Sequence, residues 1–341
     1  MKSIAIILPD NNKDYLANTI LDGFRALDGS GEYNVQISPR FVAIADYSDW
    51  ELDDNAFIEF AKAADLILYI HAKYTTRALV DKIGLWDKTV CIDGSEVGYD
   101  NRYDAKIQSG LLDRTYRGSG SIQYDLLEKC RRYFRREKPY IKGVTPLPFG
   151  IENRFIKCDL GKKKDIDFAC IFGQDEYPIM RRYSVEMLEK FCSKNGFICA
   201  TAKTNSLLNR DFRNTKSQEK FYDILGRTKV GISIGGGGYD TLRFWEILAN
   251  NCVLLTESID IYNPNSDELK FKRIFEFKNL FDFESRLEEL GRLIRTGRIQ
   301  DYLGQEEYAV ILKKHSSAER VRSIVRNSLH NNVISTESNN L

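Results

Sequence analysis

The chain lacks a surplus of charge of either sign. Fifty Lys and Arg stand against 49 Asp and Glu in 341 residues, a formal net charge of +1. A general nucleic-acid binder carries a basic surplus or a basic stripe, so no nucleic-acid partner is expected. Also missing is any apolar run approaching ~18 residues, which leaves no segment to span a bilayer. The first apolar run, after Lys2, is cut off by Pro9 and Asp10 and is shorter than a secretory h-region. The seven Cys form no C-x-x-C pair, and their number is odd. Cys170, Cys192, Cys199 and Cys252 lie in apolar or helical contexts and read as buried thiols of a reducing compartment, not as disulfides or zinc ligands. No D-x-D follows a predicted strand, so no dedicated Mn²⁺ or Mg²⁺ site is expected. The expectation is a cytoplasmic protein with no bound metal and no resident cofactor.

What is present is apolar residue, 43% of a chain too long for one typical domain. Residues 4–8 read as a buried strand, "YLANTILDGFRAL" has helical periodicity, and "YNVQIS" reads as a strand again. "AFIEFAKAADLILYIHA" is a helix running into a strand, and "TTRALVDKIGLWDK" with "TVCIDG" repeats that order. The pattern blurs over 98–139, a polar stretch rich in Arg and Tyr. "YIKGVTPLPFGIENRF", with two Pro and two Gly among apolar residues, reads as an inter-domain crossing. Alternation then resumes with strands at "DIDFACIFG", "FICATA", "KVGISIG" and "CVLLTE", separated by helices, and ends in late helices. Strands alternating with helices indicate parallel, doubly wound sheets. The expected class is α/β, two Rossmann-like domains facing a cleft. The expected bounds are 1–145, 150–305, a helix over 306–328 that returns to the first domain, and a polar, disordered tail over 330–341.

The segment 230–257, "VGISIGGGGYDTLRFWEILANNCVLLTE", holds the sharpest signal. Ligands of a doubly wound sheet collect at the carboxyl ends of its strands, and Gly235, Gly236, Gly237 and Gly238 form such an end. Glycines let backbone N–H groups approach a ligand closely. Tyr239, Asp240 and Thr241 lead into a helix, with Asp240 or Thr241 as its N-cap. Arg243 then lies in the first turn, where a cation opposes the helix dipole by ~0.3–1 kcal/mol unless an anion binds there. Leu242, Phe244, Trp245, Ile247, Leu248 and Ala249 make the helix apolar almost all round. Arg243, Glu246 and Asn250 form one polar stripe at i, i+3 and i+7. A diphosphate held by the loop, the helix N-terminus and the guanidinium fits this pattern, with Glu246 placed to accept from ribose hydroxyls. The plainer reading is an Arg243–Glu246 ion pair, or a pair to the other domain. The glycine run has neither the G-x-G-x-x-G order nor a Walker lysine.

The stretch "SIGGGGYDTLRFWEILANNCVLLTE" resembles the donor-binding segment of GT-B-fold glycosyltransferases, most of all the group-1-like branch with spore-maturation-type transferases, and more distantly exostosin-like enzymes. "LPFGIENRF" is similar to their inter-domain linker, "DIDFACIFG" with "RRYSVEMLEKF" to the first strand and helix of the donor domain, and "EEYAVILKKHSSAERVRSIV" to the closing helices. The resemblance covers roughly 140–328, and the first half matches only in its α/β pattern. It implies metal-independent transfer of a sugar from a nucleotide-diphosphate sugar donor to a glycan, lipid-linked or similar acceptor, in surface polysaccharide synthesis. Arg243 would contact the diphosphate, Glu246 the ribose, and the glycines would supply backbone contacts. The chain departs from the retaining-type pattern of two Glu eight residues apart, because the position eight before Glu246 is Gly238. A nucleotide-sugar epimerase of the same fold, or a non-catalytic GT-B-like binding or scaffold protein, are the rival readings.

Other candidates are weaker signals. Gly173 ends the first strand of the second domain, and Arg181 or Arg182 in the next helix is placed to reach a diphosphate, though solvated surface arginines read the same way. Asp10, His71 and Asp93 fall at strand ends of the first domain and are candidate bases for an acceptor hydroxyl, each weighed against a structural role. His315 reads as a bridge between domains. The basic, aromatic-interleaved run from Lys129 to Lys138 is a candidate for peripheral contact with an anionic membrane at its inner face, or for an anionic glycan or nucleic acid. Its ordinary reading is a solvated helix face.

Overall fold

The computed structural model describes residues 1–71, 77–96, 122–137, 141–172, 179–202, 215–236, 238–259, 261–262 and 266–329. Gly173, Gly237, Lys138 and the tail 330–341, on which expectations fall, lie outside the described residues.

Two all-parallel sheets carry the fold. The first has β1 (Lys2–Ile7), β2 (Tyr33–Ile37), β3 (Leu66–His71), β4 (Thr89–Asp93), β5 (Arg132–Arg135) and β6 (Val144–Pro146), in the order β2-β1-β3-β4-β5-β6. The second has β7 (Ile166–Ile171), β8 (Cys199–Ala202), β9 (Thr228–Ser233), β10 (Val253–Glu257) and β11 (Ile274–Phe277), in the order β11-β10-β9-β7-β8. The α/β class read from the apolar runs is the observed one. Strands such as β7 and β10 are buried along their whole length, which is why they read as continuous apolar runs rather than as alternation. Seen from one edge, the sheets run 2-1-3-4-5-6 and 2-1-3-4-5, which places a switch point between β1 and β3 and another between β7 and β9.

Helices flank the first sheet: α1 (Tyr15–Leu27), α2 (Asp54–Ala63), α3 (Ala78–Ile83) and α4 (Tyr124–Lys129). Asp14 caps α1 by accepting from Ala17 N at 2.7 Å, and Asp53 caps α2. The second sheet carries α5 (Ile179–Asn195), α6 (Thr215–Arg227), α7 (Leu242–Ala249) and α8 (Leu280–Arg295). Two closing helices follow, α9 (Gln305–His315) and α10 (Ser317–Leu329).

α10 lies on α1 so closely that a Cβ at Gly23 would overlap the Ser317 carbonyl, and Ser317 Oγ donates to Asp22 at 2.5 Å. The linker threads between the two sheets. Ile151 N donates to His315 O at 2.7 Å, and Ser317 N donates to Ile151 O at 2.9 Å. His315 is buried, and burial with the Arg320 and Lys314 charges pushes its pKa far down. The neutral ring accepts from Arg320 at Nδ1, 2.9 Å away, and donates through Nε2 to Glu268 O at 3.0 Å. One apolar cluster runs from Ile4, Ile6 and Phe24 through Phe149 and Ile151 to Trp245 and Val321, so linker, α10 and α7 share a core with the first sheet.

Most of the described part of the basic run, 131–137, is not a solvated helix face. Its centre is strand β5, and Tyr133, Phe134 and Arg135 are buried. Arg131 and Arg132 donate to the last carbonyls of α10, Ser328 O and Asn327 O, where unpaired acceptors of a helix end favour cations. Arg135 is fully buried against Asp93, and Arg136 is buried among Glu96, Glu137 and Asp240. Four of the charges that suggested an anionic partner, those of Arg131, Arg132, Arg135 and Arg136, are satisfied internally, while Lys129 is exposed.

Candidate active site

The switch point of the second sheet assembles most of the expected residues. After β9 the chain passes through Ile234, Gly235 and Gly236, and Gly236 N donates to Gly238 O at 2.9 Å to close a tight turn. Thr241 is the N-cap of α7, without a side-chain cap bond; its Oγ1 lies 3.1 Å from Ser233 Oγ. The first turn of α7 holds no acidic residue, and Arg243 there opposes the helix dipole.

Arg243 is nearly buried. Its Nη1 lies 2.6 Å from Glu246 Oε2, and its guanidinium sits 3.9 Å from the centroid of the Phe221 ring. Its Nε is buried without a hydrogen-bond partner among the described residues. Glu246 accepts on its other oxygen from Tyr222, 3.0 Å away. The Glu246 charge also acts on Tyr15, at the start of α1 in the first domain: desolvation and then that charge push its phenol up to about 12. Arg154 of the linker also acts on Glu246 and Tyr222, while its Nε holds Glu152 at 2.6 Å.

Arg181 reaches the loop from α5. It donates to Gly235 O at 3.1 Å and Ile234 O at 3.2 Å, and a Cβ at Gly236 would stand 2.6 Å from its Nη2. Burial and then the neighbouring Arg243 charge push its pKa down to about 10. Arg181, from the helix after β7, therefore sits on the glycine loop, and Arg243, from the helix after β9, is near enough for its charge to act on it. Glu257, at the end of β10, takes the Gly235 N–H at 3.2 Å. Such a pair suits an anion carrying more than one charge, which relieves the repulsion and satisfies donors that water reaches poorly.

Other expected residues do different work. Arg182 is exposed and pairs with Glu186. Tyr239 is buried in the core beneath the loop. Asp240 is buried with both oxygens occupied: Oδ1 accepts from Trp245 Nε1 at 2.8 Å, and Oδ2 from Phe149 N of the linker at 2.7 Å. Burial pushes its carboxyl up to about 6. Asn250, third in the polar stripe, faces the linker: its amide donates to Phe155 O at 2.8 Å and its oxygen accepts from Lys157 N at 3.2 Å.

At the first sheet, His71 and Asp93 are register partners on β3 and β4. His71 is half-buried, with Nδ1 3.3 Å from the Tyr69 hydroxyl. Asp93 is fully buried and accepts from Tyr133 at 2.6 Å, Ser95 N at 2.9 Å and Arg135. Burial pushes its carboxyl up, but the Arg135 and His71 charges and these donors outweigh that and hold it below the usual range. Asp10 is half-exposed and paired with Arg40 at 2.9 Å. The residues the sequence reading missed are Phe221, Tyr222, Glu137, Arg154 and Glu257. Arg154 alone carried a local signal, as the cation of the linker motif.

No protein-family model matches the chain, and no curated protein matches it in sequence. Among solved structures, an alpha-glucosyltransferase in complex with UDP and a 13-mer DNA superposes with a TM-score of 0.60 at 10% identity, over 97% of this chain and 100% of that one. A glycosyltransferase from Rickettsia africae ESF-5 gives 0.57 at 8% identity, over 96% and 97%. Anabaena Alr3699/HepE in complex with UDP-glucose gives 0.52 at 7% identity, over 96% and 99%. The chain has the GT-B fold. At these identities the likeness is one of fold, and it spans both sheets of the GT-B chain, not the second alone.

Proposed function

We propose that the protein is a glycosyltransferase that binds a nucleotide-diphosphate sugar at the carboxyl edge of β7 and β9 and passes the sugar to an acceptor hydroxyl held by the first domain. The observation that carries this reading is Arg181 bonded to the glycine loop, with the nearly buried Arg243 at the start of the following helix, where the fold collects ligands. The diphosphate would lie between them, and its leaving charge would be stabilised by groups already in place. Protein cations then take the part of a divalent metal, which supports a metal-independent enzyme. Residues 1–145 would serve the acceptor, 150–305 the donor, with 306–328 joining the two. Neighbours solved with UDP and UDP-glucose support a uridine donor. One neighbour was solved with DNA, but a net charge of +1 and the internal pairing of Arg131, Arg132, Arg135 and Arg136 support a glycan or lipid-linked acceptor here, as in surface polysaccharide synthesis. A cytoplasmic location fits seven free thiols.

The test is a panel of nucleotide sugars, with and without oligosaccharide and lipid-linked acceptors, assayed for released nucleoside diphosphate. Acceptor-stimulated release that withstands EDTA is expected. Interconversion of the donor without acceptor would mark the epimerase, and nucleotide binding without turnover would mark the binding protein.

A further inference from the structure

We propose that Glu137, a residue of the first domain, is a positioning residue for the donor loop of the second, so that the donor site is completed across the domain boundary. This rests on the donor-site reading above. Glu137 follows β5 and is fully buried. Its Oε1 accepts the Asp240 N–H at 3.0 Å, immediately before α7. Its carboxylate also fills the space over Gly238, where any Cβ would overlap it. The absence of a side chain at 238 is thus explained by Glu137, not by close approach of a ligand.

The contact passes on to Arg181. Gly238 O fixes Gly236 through the 2.9 Å turn bond, and Gly236 packs against the Arg181 guanidinium. On the far side, Asp240 is tied to Phe149 N of the linker. The loop between β9 and α7 is therefore gripped by two groups that its own sheet does not supply. A buried carboxylate is costly unless its bonds are made. Here they are made by the loop backbone and by Arg136, 3.3 Å away, which Glu96 and Asp240 also face. Movement of the first domain away from the second would release the loop, and closure would set it.

Calorimetric titration of the full chain with UDP, alongside melting temperature, tests this on Glu137→Gln, Glu137→Ala, Gly238→Ala and the Glu137→Ala, Gly238→Ala double variant. Glu137→Gln keeps the shape and an accepting oxygen and should stay within roughly threefold of wild type. Glu137→Ala loses the charge-assisted bond to Asp240 N and should bind UDP about tenfold more weakly. Gly238→Ala should be weaker still, and the double variant should return to the level of Glu137→Ala, because the three atoms nearest the added methyl all belong to that carboxylate group. UDP binding by Glu137→Ala as tight as wild type or tighter, whatever its melting temperature, overturns the proposal. If Glu137→Ala fails to fold, Glu137→Ser in the Gly238→Ala background reads the same coupling, and no rescue there overturns it. Loss of UDP in Arg243→Ala with no effect in Glu137→Ala sinks the positioning role alone. A wild type that binds none of UDP, ADP and GDP sinks the donor site with it.

Discussion

The Glu246 carboxylate is shared between Arg243, 2.6 Å away on Oε2, and Tyr222, 3.0 Å away on Oε1. The Arg243–Glu246 pair of the plainer reading therefore exists, and it exists inside the proposed donor site. Glu246→Gln keeps an acceptor for Tyr222 but loses the attraction to Arg243 and weakens acceptance from ribose hydroxyls. UDP affinity should fall less than in Arg243→Ala, and the loss should be larger for UDP than for 2′-deoxy-UDP. Equal loss for both nucleotides would remove Glu246 from ribose recognition.

Asp240 ties α7 to the linker. Asn offers one acceptor where the carboxylate offers two, so Asp240→Asn sets an amide donor against Phe149 N–H or Trp245 Nε1–H. An unpaired buried donor costs roughly 1–3 kcal/mol, and the melting temperature should fall by several degrees at pH 8. A variant as stable as wild type would contradict the hydrogen-bond assignment.

Glu152 gives the fold a pH dependence. It is buried, bonded to Thr19 at 2.9 Å and to Arg154, and burial pushes its carboxyl from 4.5 up to about 7. Between those values the folded chain keeps a proton that the unfolded chain has released. Unfolding then releases the proton, so this contribution to stability falls as pH rises through that window, by on the order of 3 kcal/mol. Glu152→Gln cannot titrate. Its melting temperature relative to wild type should therefore be more favourable at pH 8 than at pH 5; a pH-independent difference would refute the shift.

His71 is the first-domain group best placed to accept an acceptor proton, since Asp93 is enclosed by donors and Asp10 is held by Arg40. His71→Ala should lower kcat about 10²–10⁴-fold with UDP affinity unchanged. An unchanged kcat would exclude it.

The sheets were legible because parallel strands buried on both faces must be apolar runs, as β7 and β10 are. β5 was not, because Arg135 is buried against Asp93, 42 residues earlier, and no local pattern announces such a partner. The same limit divides the site. Arg243 and Glu246 stood out as polar residues on an apolar helix. Asn250 shared their stripe yet serves the linker, and Asp240 looked like a ligand contact yet spends both oxygens on the fold. Tyr222 and Glu137 belong to other elements, and only tertiary packing brings them to the loop.

The most direct measurement is calorimetric titration of UDP into wild type and Arg243→Ala, with melting temperatures of both. Arg243→Ala removes a charge-assisted contact worth roughly 1.5–3 kcal/mol, so UDP should bind about tenfold to hundredfold more weakly while the chain stays folded. A lower melting temperature with unchanged UDP affinity would contradict the account, leaving Arg243 and Glu246 as an ion pair of the fold.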